Sequence, residues 1–210
     1  MLALSREMKN LVLKSIIDSV FIRDIRAFIK EDKIIDLRKI FGFIGTNIGS
    51  PFSLEGLSSF VDEKMTHTKM FLDILQKNFL IFRITSFTSN KRNELKGKFK
   101  LYLSDFGMMN YFLGKNEVSD FTGEYIEMFV FLQLQYNLSL KNELYFWQNL
   151  NKKEIDFILK TGDMITPIEV KSTNNDVIPK IFYSFDENYG KKIDHFIRTT
   201  LSVNKNRDIE

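Results

Sequence analysis

Pro167-Ile168-Glu169-Val170-Lys171, taken with Glu154-Ile155-Asp156-Phe157, decides how this chain reads. Both stretches alternate apolar and charged residues, the period of a strand. In the first, Ile168 and Val170 point to a core while Glu169 and Lys171 share the opposite face. In the second, Ile155 and Phe157 point inward, and Glu154 and Asp156 share the other face. Two such strands side by side gather Asp156, Glu169 and Lys171 at one spot. Two carboxylates and a lysine suit magnesium-dependent phosphodiester hydrolysis. Oxygen ligands hold the hard cation, open positions remain for water and phosphate, and the lysine helps position the water. A carboxylate beside a lysine is also an ordinary solvated pair, so the trio needs support from the rest of the chain.

With 210 residues, the chain is long enough for one or two cores. It has no cysteine, which excludes disulfides and thiolate metal sites and fits an intracellular, cytoplasmic setting. No apolar run approaches the roughly 18 residues of a membrane span, and no signal peptide is visible. The net charge is only +3, but it is unevenly spread. Residues 1–115 carry 19 Lys and Arg against 12 Asp and Glu, and residues 116–210 carry 11 against 15. That asymmetry predicts two domains, 1–115 and 116–210, with nucleic acid a fitting partner for the basic one.

In the first domain, the periodicity predicts a helix over 5–31 and a second over 33–47, with Ile34, Leu37, Ile40, Phe41 and Ile44 on one face. Pro51-Phe52-Ser53 opens a third helix, capped by Ser53, with Leu54, Leu57 and Phe60 as its buried stripe. A turn through Asp62, Glu63 and Lys64 leads to a fourth helix of about 66–78. Thr66 or Thr68 is its cap, and Met70, Phe71, Ile74 and Leu75 are its core face. Strands follow at 80–85 and 99–103, around a loop containing Lys91, Arg92, Lys96 and Lys98; Lys100 adds a further charge. Helices followed by a hairpin with a basic tip give the order of a winged helix-turn-helix. The fourth helix, with Lys69, would then face DNA, and the loop would be the wing touching phosphates. Such folds also serve as protein-docking modules. His67 reads as a cap or solvent residue.

Ser104 to Asn116 reads as a linker. A long helix runs from Glu124 to about Asn137, with Ile126, Val130, Phe131 and Leu134 apolar. It is followed by strands at 143–148, around Asp156 and around Glu169, a helix over 177–189, and a last strand over 192–197. The result is a small mixed sheet with helices on its faces.

This order and spacing resemble the PD-(D/E)xK phosphodiesterase fold. More specifically, the chain looks like the C-terminal region of a bacterial and archaeal ATPase family. In that family an AAA-type ATPase module precedes a winged helix and a nuclease-like domain of unknown function. The matching phrases are Ile22-Arg23-Asp24-Ile25, Gly49-Ser50-Pro51-Phe52-Ser53, Tyr102-Leu103-Ser104-Asp105-Phe106-Gly107 and Gly123-x-x-x-Glu127-x-x-Val130. Glu154-Ile155-Asp156-Phe157 and Pro167-Ile168-Glu169-Val170-Lys171-Ser172 complete them. The resemblance implies an α+β protein: a winged helix-turn-helix domain, then a small PD-(D/E)xK, restriction-endonuclease-like domain. It assigns Glu127, Asp156, Glu169 and Lys171 to the catalytic positions. Asp156, Glu169 and Glu127 would hold Mg²⁺ or Mn²⁺, with Glu124 an alternative to Glu127. Without a cation, three gathered carboxylates would repel one another.

The chain departs from the family in three ways. It has no G-x-x-x-x-G-K-[ST], so ATP binding through a P-loop is not expected, and a truncated product or expressed fragment is. It stops soon after the last strand, and no glutamine follows Lys171 to supply a Q-x-x-x-Y motif. DNA binding with Mg²⁺-dependent cleavage is the leading expectation. The alternative is an inactive nuclease fold serving as a DNA- or protein-binding module.

Overall fold

The computed structural model describes residues 5–19, 25–26, 28–88, 97–114, 122–172 and 179–200. The chain is α+β, and seven strands belong to a mixed sheet. It divides into two compact units, Met1–Ile84 with Gly97–Asp120, and Thr85–Lys96 with Phe121–Glu210.

The first unit contains α1 (Arg6–Ser19), α2 (Glu31–Thr46), β1 (Pro51–Phe52), α3 (Leu54–Val61) and α4 (Met65–Lys77). Most of β2 (Ile81–Ser86), then β3 (Phe99–Leu103) and α5 (Phe106–Leu113), complete it. α2 buries Leu37, Ile40, Phe41 and Ile44 at the spacing its sequence predicts. α1 ends well short of residue 31. Beyond it Ile25 is buried, and the Phe28 N–H donates to the Ile25 carbonyl at 2.9 Å, which makes a turn. Ile22, Arg23 and Asp24 lie outside the described residues.

Four further expectations change. Pro51 and Phe52 form a strand antiparallel to β3, opposite Lys100 and Phe99. Ser53 still caps α3, its Oγ accepting the Gly56 N–H at 3.1 Å, but Leu57 and Val61 are its buried apolar residues and Phe60 is exposed. Neither threonine caps α4. Lys64 holds the N-cap position, and the Thr68 hydroxyl donates back to the Lys64 carbonyl from within the helix. Leu72 takes the buried place expected for Met70.

The expected linker contains a helix. The Asp105 carboxylate accepts the Met108 N–H at 2.9 Å, and Gly114, at φ 63°, closes α5 in the left-handed conformation open to glycine. Phe112 of α5 meets Phe41 of α2 edge-on, with ring centroids 4.9 Å apart. A Cβ at Gly45 would lie 2.3 Å from Phe112, so this helix contact needs glycine.

In the second unit, Thr85 and Ser86 run parallel to Tyr145 and Phe146 of β4 (Asn142–Gln148). β4 pairs antiparallel with β5 (Glu154–Thr161), and β5 antiparallel with β6 (Met164–Lys171). β6 pairs parallel with β7 (Ile197–Thr200). Gly162, at φ 62°, begins the two-residue turn that fixes the β5–β6 register. Helices α6 (Gly123–Asn137) and α7 (Lys180–Tyr189) cover opposite faces of these strands. Phe131 of α6 lies 6.2 Å from Phe157. Ile181, Phe182 and Phe185 of α7 pack with Tyr145, Trp147, Ile155, Ile158 and Ile165.

The last strand begins later than 192. Ile193 makes only an isolated bridge to Ile165, and the ladder resumes at Ile168 opposite Ile197. Between these contacts β6 advances three residues and its partner four. Pro167, which has no N–H to donate, sits in that gap.

Candidate active site

The site is built where β5 and β6 part. Along β4, Tyr145 and Trp147 are two residues apart, while their β5 partners Ile158 and Ile155 are three apart. β5 therefore bulges by one residue around Asp156 and Phe157. A bulge re-aims the side chains on either side of it. Consequently Ile155 and Ile158 both join the α7 cluster, while Phe157 faces α6. The sequence expectation put Ile155 and Phe157 on one face. They lie on opposite faces, and both faces are covered.

The β5–β6 ladder ends at Phe157 opposite Ile168. Just beyond it, Asp156 Oδ2 accepts the Val170 N–H at 2.7 Å. A side-chain carboxylate thus takes the place of a backbone acceptor where the strands separate. Asp156 is 9% exposed and Glu169 4%. Glu169 Oε1 is ion-paired with Lys171 Nζ. Burial opposes the charge on Lys171, and Arg198 repels it. The hydrogen bond that Lys171 donates to Glu169, with the Coulomb attraction of Glu169 and Asp156, outweighs both, so its pKa lies above the ordinary lysine value. Lys171 is therefore a cation at neutral pH.

Asp156, Glu169 and Lys171 thus come together. Glu127 is half-buried on α6, the helix whose Phe131 packs near Phe157. Glu124 is exposed on the same helix. Among the described residues no group of three or more His, Asp or Glu side chains is arranged to hold a metal ion. The donor chemistry of Asp156 and Glu169 nevertheless suits Mg²⁺, which is bound through one or two carboxylates and keeps waters and phosphate oxygens as its other ligands.

Sequence reasoning missed Arg198. It lies on β7 directly opposite Glu169 in the parallel register and acts electrostatically on Lys171. Asp156 and Glu169 bring two negative charges, and Lys171 and Arg198 bring two positive ones.

On the expected nucleic-acid side, Lys69 of α4 and Lys98 before β3 are exposed. Lys91, Arg92 and Lys96 lie outside the described residues. Lys100 is fully buried within β3 and offers no charge to a phosphate. His67 is held by Glu63, its Nδ1 2.8 Å from Oε2, and Glu63 also pairs with Lys33 of α2.

Comparison with known proteins gives the family. Residues 1–119, more than half of the chain, match the family described as a domain of unknown function (DUF8612). The chain belongs to that family. Residues 122–210 match a second family, also described as a domain of unknown function (DUF4143), in line with the relation expected from the sequence. A Haemophilus influenzae protein named only "Uncharacterized protein" is 25% identical over 173 residues. That match covers 78% of this DUF8612 chain but 40% of the relative, so the chain spans less than half the length of the curated relative it matches. No solved structure matches it. Among the described residues, no helix is long and apolar enough to cross a membrane.

Proposed function

We propose that the chain binds DNA through the winged helix read over residues 1–115 and cleaves phosphodiester bonds with Mg²⁺ or Mn²⁺ at Asp156, Glu169 and Lys171. The observation that carries this reading is the burial of two carboxylates beside a lysine at the end of the β5–β6 ladder. Buried, electrostatically coupled ionisable groups are costly to assemble and concentrate at functional sites. The nuclease-like reading of the second unit is supported by its order α6-β4-β5-β6-α7-β7. The winged-helix reading of the first is supported by its order α2-β1-α3-α4-β2-β3, with β1 antiparallel to β3.

Asp156 and Glu169 would hold the cation, which when bound supplies Lewis-acid charge and a more acidic water. Lys171, released from Glu169 and still protonated, orients the water or a phosphate oxygen. Asp156 keeps its Oδ2 on the Val170 N–H, so the backbone fixes its position. Glu127, half-buried on α6, would complete or orient the metal's shell, and Glu127→Gln should weaken the metal response.

A second reading, the inactive nuclease fold as a DNA- or protein-binding module, is favoured by one observation. Both carboxylates already have protein partners, Glu169 the Lys171 ammonium and Asp156 the Val170 N–H. Incubating the protein with labelled single-stranded, duplex and branched DNA in Mg²⁺ or Mn²⁺ separates the two. Enzyme action gives metal-dependent products that disappear in both Asp156→Asn and Lys171→Ala. DNA retention by wild type with no products under either ion establishes the module.

A further inference from the structure

We propose that Arg198 is the phosphate-holding residue of this cluster, engaging a phosphate group once a divalent cation occupies Asp156 and Glu169. The inference rests on the metal-site reading above and concerns what that site does next.

β6 and β7 are in parallel register, pairing Glu169 with Arg198 and Lys171 with Thr200. Residues paired in this way share a sheet face, so Arg198 stands on the face of Glu169 and Lys171. It is half-buried there, where charge interactions are stronger than in open solvent. Two cations on neighbouring strands repel each other.

Without metal, Asp156 and Glu169 compensate that repulsion. A divalent cation would take over both carboxylates and leave the cluster with a surplus of two positive charges. The group that restores balance is an anion with several oxygens around one centre. Guanidinium has a planar fork of donors that matches phosphate oxygens two at a time, which the lysine ammonium lacks. Arg198 is therefore the better phosphate holder of the two cations, with Lys171 left to the water. It is a positioning residue: it holds the group to be cleaved and takes no part in proton transfer.

This arrangement makes metal and phosphate binding mutually reinforcing. By linkage, the factor by which Mg²⁺ tightens phosphate binding equals the factor by which phosphate tightens Mg²⁺ binding.

The test uses the full chain, Mg²⁺ and inorganic phosphate, in wild type, Arg198→Gln and Arg198→Lys. Calorimetric titration reads affinity, and fluorescence of Trp147, the chain's one tryptophan, reads the packing of the second unit. Wild type should bind phosphate roughly tenfold or more tightly with Mg²⁺ than without it, within the usual range of coupling between sites. Arg198→Gln should lose that coupling while keeping its Mg²⁺-induced rise in melting temperature. Arg198→Lys should recover part of it. Coupling that survives in Arg198→Gln overturns the inference and leaves the metal site standing. So does loss of the Mg²⁺ response in both variants while wild type keeps it, because Arg198 would then be a structural partner of Glu169. No Mg²⁺ response in wild type overturns the metal site itself, and this inference with it. If Arg198→Gln fails to fold, Arg198→Lys decides: coupling weaker than wild type in a folded Lys variant supports the inference, and undiminished coupling overturns it.

Discussion

Asp156 does two jobs that a strand pattern shows as one. It is a candidate metal ligand, and it accepts the Val170 N–H at the point where two strands separate. Asn keeps an oxygen for that bond and loses the charge, whereas Ala leaves a buried N–H unsatisfied. Asp156→Ala should therefore cost about 1–3 kcal/mol more than Asp156→Asn in urea unfolding. Equal losses would remove the Val170 bond from the account. Glu63 offers a second test at this scale. Hydrogen bonds from Lys33 and then His67 outweigh its burial and lower its pKa to about 2. Because the folded value lies below the ordinary one, the stabilisation is complete above the ordinary glutamate pKa and is lost as pH falls through about 2. Glu63→Gln should melt several degrees below wild type at neutral pH, and the gap should close near pH 2. A gap that persists unchanged there would show that packing, not charge, makes the difference. The alternation of Glu169 and Lys171 was legible from sequence because it is local. Arg198 was not, because its place opposite Glu169 exists only through the β6–β7 pairing.

At the scale of elements, signals carried by one helix were readable and signals requiring a partner were not. The stripe of Leu37, Ile40, Phe41 and Ile44 announced α2, and Ser53 announced the start of α3. The α5 helix also carried its signals, Asp105 before it and Gly114 after it, but its eight residues bury only Met109 fully, so no stripe marked it as a helix. The β5 bulge left no local trace, since it is defined by a mismatch with β4. Phe60 shows the same limit: its spacing fits the α3 stripe, yet the helix presents it to solvent, against the ring of Phe43 at 4.0 Å. The α2–α5 contact gives the prediction here. Gly45→Ala drives a methyl into Phe112 and should destabilise the chain by about 1–3 kcal/mol, as overpacking does. Pairing it with Phe112→Leu should recover part of that loss. If the two losses simply add in a double-mutant cycle, the two residues are not in contact in solution.

For the whole molecule, the proposed function puts DNA on the basic part of the sequence and the metal on the acidic part. The DNA claim is tested by charge removal at Lys69, Lys91, Arg92, Lys96 and Lys98. Each lost phosphate contact should reduce the slope of log K against log salt by roughly 0.9 on duplex DNA, with affinity falling alike for all sequences. An unchanged slope would put the DNA elsewhere. Lys100→Met should not belong to that series, because its effect falls on folding. The central claim is that Asp156 and Glu169 hold a divalent cation, and the most direct measurement is the melting of wild type and Asp156→Asn across a titration of Mg²⁺ or Mn²⁺, followed through Trp147. A cation bound to the folded site should stabilise wild type by about 2.7 kcal/mol at one hundred times its dissociation constant, and Asp156→Asn should lose that gain. Wild type and Asp156→Asn responding identically to both ions would contradict the claim.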